Sequence, residues 1–159
     1  MRLARLLLLS TSLLSVGSTA WADATAFLGT ASAPTNRGTR GFAVGAGLLV
    51  VGFEFEYGDT VEDVVEAAPS LRTGMGNVLI QTPFPIFRMQ PYFTTGAGVY
   101  RESLAGNSET NFGINNGGGV KISLIGPLRA RVDYRIFTLR GSPLEETVHR
   151  VYVGANLRF

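Results

Sequence analysis

His149 is the only histidine in this 159-residue chain, which makes it the first side chain to test for acid–base or nucleophilic chemistry. A base of that kind activates a serine hydroxyl close beside it. The positions two residues either side on the same strand face are Thr147 and Val151, so the pairing fails. One histidine and no cysteine leave no His-based or thiolate zinc site. Asp59, Glu62, Asp63 and Glu66 gather four carboxylates, but their spacing matches no calcium loop and reads as a solvated acidic loop. Gly45-x-Gly47 and Gly96-x-Gly98 lie inside alternating stretches, not at a strand-to-helix turn, so they are not phosphate loops. The remaining charged set is Glu54 and Glu56 on one segment and Arg131, Asp133 and Arg135 on another, each at alternate positions that share one face of a strand. No catalytic residue, cofactor site or metal ligand is assigned.

The elements that position this set are read from alternation. Val51-Gly-Phe-Glu-Phe-Glu-Tyr57 sets aromatic residues against glutamates. Leu128 to Ile136 puts apolar residues at even numbers and charges at odd ones. Val151, Val153, Ala155, Leu157 and Phe159 share a parity, with Arg150, Tyr152, Asn156 and Arg158 on the other. Weaker alternation covers Gly41 to Leu48, Pro91 to Arg101 and Asn111 to Ile122, while residues 24–32 and 70–82 complete eight strands with no decided parity. Turn-forming residues fill 33–40, 59–69, 83–90, 104–110, 126–127 and 141–146, and Leu48 to Val50 leaves room for one tight turn.

Composition narrows the setting. Apolar residues make up 45% of the chain and charged residues only 16%, which excludes disorder and is unusual for a water-soluble globule of this length. Arg2 and Arg5 precede an apolar stretch from Leu6 to Val16, and Ala20-Trp21-Ala22 has the small-x-small form of a cleavage site. Ser10, Thr11, Ser12, Ser15 and Gly17 interrupt the stretch well short of the about 20 apolar residues of a membrane helix. Residues 1–22 are therefore expected to be a cleaved secretory leader and 23–159 the mature domain, beginning near Asp23 without tryptophan. Losing Arg2 and Arg5 leaves twelve basic against twelve acidic side chains, so the formal charge of +2 resides in the leader and gives no reason to expect nucleic-acid binding.

A strand with one wet and one dry face fits a soluble barrel or sandwich as well as a membrane barrel. The polar parity decides. Gly45, Gly47, Gly52, Gly96, Gly98, Gly113, Gly117 and Gly119 alternate there with long Arg, Glu, Tyr and Asn, a mixture suited to the narrow interior of eight closed strands. Phe53, Phe55, Tyr57, Phe93, Phe112, Tyr134 and Phe159 on the other parity supply interfacial aromatics. The fold class expected is all-β, an eight-stranded antiparallel up-and-down transmembrane barrel.

The run Val151-Tyr-Val-Gly-Ala-Asn-Leu-Arg-Phe159 resembles the terminal strand of bacterial outer-membrane barrels, and Leu128-Arg-Ala-Arg-Val-Asp-Tyr-Arg135 resembles the penultimate strand of the small OmpA-like and OmpX-like barrels. The resemblance implies an outer-membrane location with outer-membrane lipids as neighbours and the N-terminus in the periplasm. It also implies insertion by the barrel-assembly machinery, with Leu157 and Phe159 in the C-terminal assembly signal. The chain departs from full-length OmpA in lacking a peptidoglycan-binding domain after the barrel, so no wall-tethering role is implied. Small barrels of this kind include a lipid A deacylase family with a His-Ser-Glu arrangement, whose serine is missing from the strand carrying His149; that histidine reads as a headgroup-level residue.

In a closed eight-stranded barrel the third and seventh strands lie opposite one another, so Glu54 and Glu56 can meet Arg131, Asp133 and Arg135 across the lumen. The expectation is a structural ionic network filling the interior, not a selectivity ring, because buried charges are costly unless matched. The function expected is structural or surface-interactive, without catalysis or cofactor. The alternatives are an enzyme acting on outer-membrane lipid and a secreted soluble barrel binding an apolar ligand.

Overall fold

The structure, a computed structural model, describes residues 20–159. Eight strands follow one another: β1 (Ala20–Ser32), β2 (Asn36–Leu48), β3 (Val51–Thr60), β4 (Ser70–Gln81), β5 (Met89–Leu104), β6 (Asn107–Ile125), β7 (Leu128–Leu139) and β8 (Thr147–Arg158). Each pairs antiparallel with the next, and β8 pairs with β1, so the expected up-and-down barrel closes with no free edge. The leader expected over 1–22 lies outside the described residues except for Ala20–Ala22, which continue β1.

Register fixes the shape of the wall. Paired residues run from Ala22 through Ala46, Phe53, Val78, Thr95, Asn116, Ile136 and His149 and return to β1 at Ser32, a shift of ten residues. A shift of that size tilts the strands by roughly 40° from the barrel axis and leaves a bore that side chains can fill.

The pleat then sorts residues by parity. On β3, Gly52, Glu54 and Glu56 are buried while Val51, Phe53 and Phe55 are exposed. On β8, Val148, Arg150, Tyr152 and Asn156 are buried while Val151, Val153, Ala155 and Leu157 face outward. The undecided strands fall into the same scheme. Thr25, Phe27 and Ala31 of β1 and Leu71, Thr73, Met75, Asn77 and Leu79 of β4 point inward. The interfacial aromatics Phe53, Phe55, Phe93, Phe112, Tyr134 and Phe159 are all on the outer surface.

Two turn assignments need correction. The segment 33–40 is not all turn, because β2 begins at Asn36 and only Ala33–Thr35 join it to β1. The segment 104–110 is mostly strand, with Ala105 and Gly106 as the two-residue connection, both at positive φ. The cause is the same in both. These strand ends rise past the apolar band, so their outer faces carry Arg40 or Thr110 and the alternation of apolar with polar residues stops while the backbone ladder continues.

Val153→Arg should impair folding into bilayers by about 2 to 4 kcal/mol if the site lies near mid-band, whereas Val153→Leu should fold like the parent. Folding titrations in urea with lipid vesicles measure the difference. Equal behaviour of the two variants would remove the outward apolar face.

Candidate functional site

The lumen holds the charged residues singled out in the sequence. Glu54 of β3 reaches across to β7, where Arg131 Nη1 lies 2.5 Å from its Oε2 and Arg135 Nη2 lies 2.8 Å from its Oε1. Glu56 Oε2 is 3.1 Å from Arg135 Nη2. Asp133 sits between the two arginines, 3.1 Å from Arg131 Nη2 and 2.9 Å from Arg135 Nε. All five are at most 3% exposed, so the layer they form is closed to water-sized passage.

Further members come from β8, β5, β6 and β1. Arg150 of β8 donates to Glu56 at 3.2 Å and to Thr73 Oγ1 at 3.1 Å, with its guanidinium 4.3 Å from the Phe137 ring centre. Tyr152 donates its hydroxyl to Glu56 at 3.1 Å. Tyr92 of β5 donates to Asp133 and accepts from Arg131 Nε at 2.7 Å. Below this layer Lys121 of β6 pairs with Asp23 of β1 at 2.5 Å. The sequence carries the inward signal for three of these. Arg150 and Tyr152 occupy the polar parity of β8, and Lys121 stands between the outward Val120 and Ile122.

The lumen is therefore layered. Toward the end away from the termini, Ala31, Leu71, Met75, Tyr100, Phe137, Leu139 and Val148 form an apolar cluster that covers the ionic layer. At the mouth beyond it, Glu102 accepts the Leu144 N–H at 3.2 Å and Arg37 donates to the Ala33 carbonyl at 2.5 Å. Toward the termini, Arg129 donates to Gln90 at 2.8 Å, beside the Lys121–Asp23 pair. Within the ionic layers Arg131, Arg135, Arg150 and Lys121 face Glu54, Glu56, Asp133 and Asp23, so cations and anions balance. A charge-balanced and covered set can hold a wall open at fixed width.

His149 lies elsewhere, on the outer surface. Its Nδ1 is 2.7 Å from the Tyr134 hydroxyl and the two rings stack at 6.1 Å. The register places Ser32 of β1 directly beside it, a neighbour invisible to a search along one strand. Among the described residues no hydrogen bond joins that serine to the imidazole, and the ring's partner is a neutral phenol in place of a carboxylate. The acidic loop is split by the structure. Asp63 caps the Val65 and Glu66 N–H groups, and Glu62 accepts from the Ala105 N–H at 2.8 Å, so its carboxylates serve loop structure. At β8, Leu157 faces outward and Phe159 exchanges backbone hydrogen bonds with Ala22.

A closed wall of eight antiparallel strands, apolar outside and filled by an ionic network inside, defines the chain as a small eight-stranded barrel of the outer-membrane type. Solved structures of that class superpose on it. Neisserial surface protein A matches at 15% identity and a TM-score of 0.66, over 87% of this chain and 95% of that one. The N-terminal β-barrel domain of Pseudomonas aeruginosa OprF matches at 17% identity and 0.66, over 87% and 97%. The outer membrane enzyme PagL matches at 14% identity and 0.55, over 85% and 98%. At such identities the likeness is one of fold. No family model and no curated protein matches the chain.

Glu54→Ala should strand two arginines in the lumen and lower stability by about 3 to 5 kcal/mol. Glu66→Ala, on the exposed loop, should leave the urea midpoint of the detergent-folded protein unchanged. Comparable effects from the two would show that the network does not support the barrel.

Proposed function

We propose that the chain is an integral protein of the bacterial outer membrane, exported by an N-terminal leader, with a structural or surface-interaction role and no catalysis. The observation that carries this reading is the combination of a filled lumen, whose ionic layers are charge-balanced, with an outward apolar band. A wall facing lipid needs that band, and a lumen without an open passage or a free reactive group is suited to neither transport nor turnover. The soluble-barrel alternative is disfavoured for the same reason, since its dry face would have to line the interior.

The band has a clear upper limit. Arg40, Asp59 and Arg72 are lateral neighbours on β2, β3 and β4, joined by ion pairs of 3.7 and 3.1 Å. They follow the outward Phe42 and Tyr57, a placement suited to the phosphates of lipid headgroups, which makes outer-membrane lipids the partners of this surface. Termini at the end opposite the 61–69 and 140–146 loops favour an N-terminus in the periplasm. The outward Leu157 and Phe159 on the closing strand are presented for recognition by the barrel-assembly machinery.

A second reading, a lipid-modifying enzyme, is favoured by the placement of Ser32 beside His149 and by the fold likeness to PagL. Expression in a Gram-negative host separates the readings. The chain should fractionate with outer membranes, migrate faster on gels before boiling than after, and leave the acylation pattern of host lipid A unchanged by mass spectrometry. Acyl loss that Ser32→Ala and His149→Ala both abolish would establish the enzyme instead.

A further inference from the structure

We propose that export processing cuts the chain after Ala20, not after Ala22, so that Trp21 is the first residue of the mature protein and closes the lumen at the terminal end. The proposal rests on the leader reading of the N-terminus and concerns where that leader ends.

Trp21 is built into the barrel. It is only 6% exposed and pairs with Gly47 of β2 in the β1–β2 ladder. Its six-membered ring lies over two glycines of neighbouring strands. A β-carbon at Gly47 would come within 2.7 Å of Trp21 Cζ2, and one at Gly52 would collide with both Cζ2 and Cη2. Lys121 Nζ lies 4.8 Å from the indole centre while paired with Asp23, a buried cation held over an aromatic face. The next residue, Ala22, closes the ring of backbone bonds. Its N–H donates to the Phe159 carbonyl at 3.4 Å and its carbonyl accepts from the Phe159 N–H at 2.8 Å.

Cleavage after Ala22 would undo each of these. It would leave the space over Gly47 and Gly52 empty, remove the ring under Lys121 and unpair Phe159. It would also create an α-ammonium on Asp23, placing a new positive charge next to Lys121 at the carboxylate the two would share. Cleavage after Ala20 costs none of this. Ser18-Thr19-Ala20 has the same small-x-small form as Ala20-Trp21-Ala22, and the new ammonium falls on Trp21, two residues from Asp23.

Intact mass of the protein extracted from outer membranes after expression of the full chain tests the cut. A mass for residues 21–159 is expected. A mass lighter by one tryptophan and one alanine overturns the proposal but keeps the leader, whereas a mass for residues 1–159 overturns the leader as well. Two variants separate the sites independently of folding, since processing precedes assembly. Ser18→Leu should block cleavage and Ala22→Leu should not; the reverse result points to the cut after Ala22. Trp21 is the chain's only tryptophan, so its emission reports the closure directly. Blue-shifted emission resistant to acrylamide is expected in the folded protein. Red-shifted, freely quenched emission from a chain that starts at Trp21 overturns its place in the lumen.

Discussion

Closure of the sheet is the constraint on which the rest depends. A wall that faces lipid finds no outside partner for its N–H and C=O groups, so every strand must be bonded on both sides. The β1–β8 ladder meets that demand from Asp23↔Arg158 to Ser32↔His149, and the backbone exchange between Ala22 and Phe159 extends it by one more step. Eight strands sheared by ten residues then set a bore too narrow for a water column and too wide to collapse. Long side chains must fill it, and glycine must stand wherever two of them compete.

Filling the bore with charged side chains creates a second requirement, neutrality. An arginine in this interior has lost its hydration, and a carboxylate within hydrogen-bond distance offsets that loss most strongly. Four cations meet four anions in the ionic layers, with Tyr92 and Tyr152 adding hydroxyl donors to carboxylate oxygens that arginines also contact. Glu54 touches both Arg131 and Arg135, and Glu56 touches both Arg135 and Arg150. The wall is thus tied across its diameter between β3 and β7 and between β3 and β8, contacts that no neighbouring-strand ladder provides.

How much of this was legible depended on which layer of the lumen a strand crosses. β3, β7 and β8 carry their charged inward residues in the ionic layer, so their alternation between apolar and charged was plain. β4 has no decided parity because its inward residues Leu71 and Met75, which belong to the apolar cluster, and Leu79, which lies outside it, are as hydrophobic as the outward Val78 and Ile80. β1 failed for the opposite reason, with small outward residues Ala24 and Ala26 facing an inward Phe27 that stacks on Tyr152 at 4.0 Å. Arg150 and Lys121 had the right parity but no evident partner, since partnership across a barrel depends on shear, which a single chain does not display. Ser32 beside His149 is hidden in the same way, by a pairing between the first strand and the last.

The layering also decides what the ionic network responds to. Salt in the medium screens exposed charges over about 8 Å at physiological strength, but it acts weakly on pairs that water does not reach. Here the apolar cluster of Leu71, Met75, Tyr100, Phe137, Leu139 and Val148 lies between the mouth opposite the termini and the arginines. Arg150 touches the cluster through the Phe137 ring, so the boundary between the two layers is itself a cation resting on an aromatic face. Changes in ionic strength therefore fall on Arg40, Asp59 and Arg72 at the surface, while the bonds that set the width of the wall are shielded. The surface charges thus respond to the medium while the frame does not.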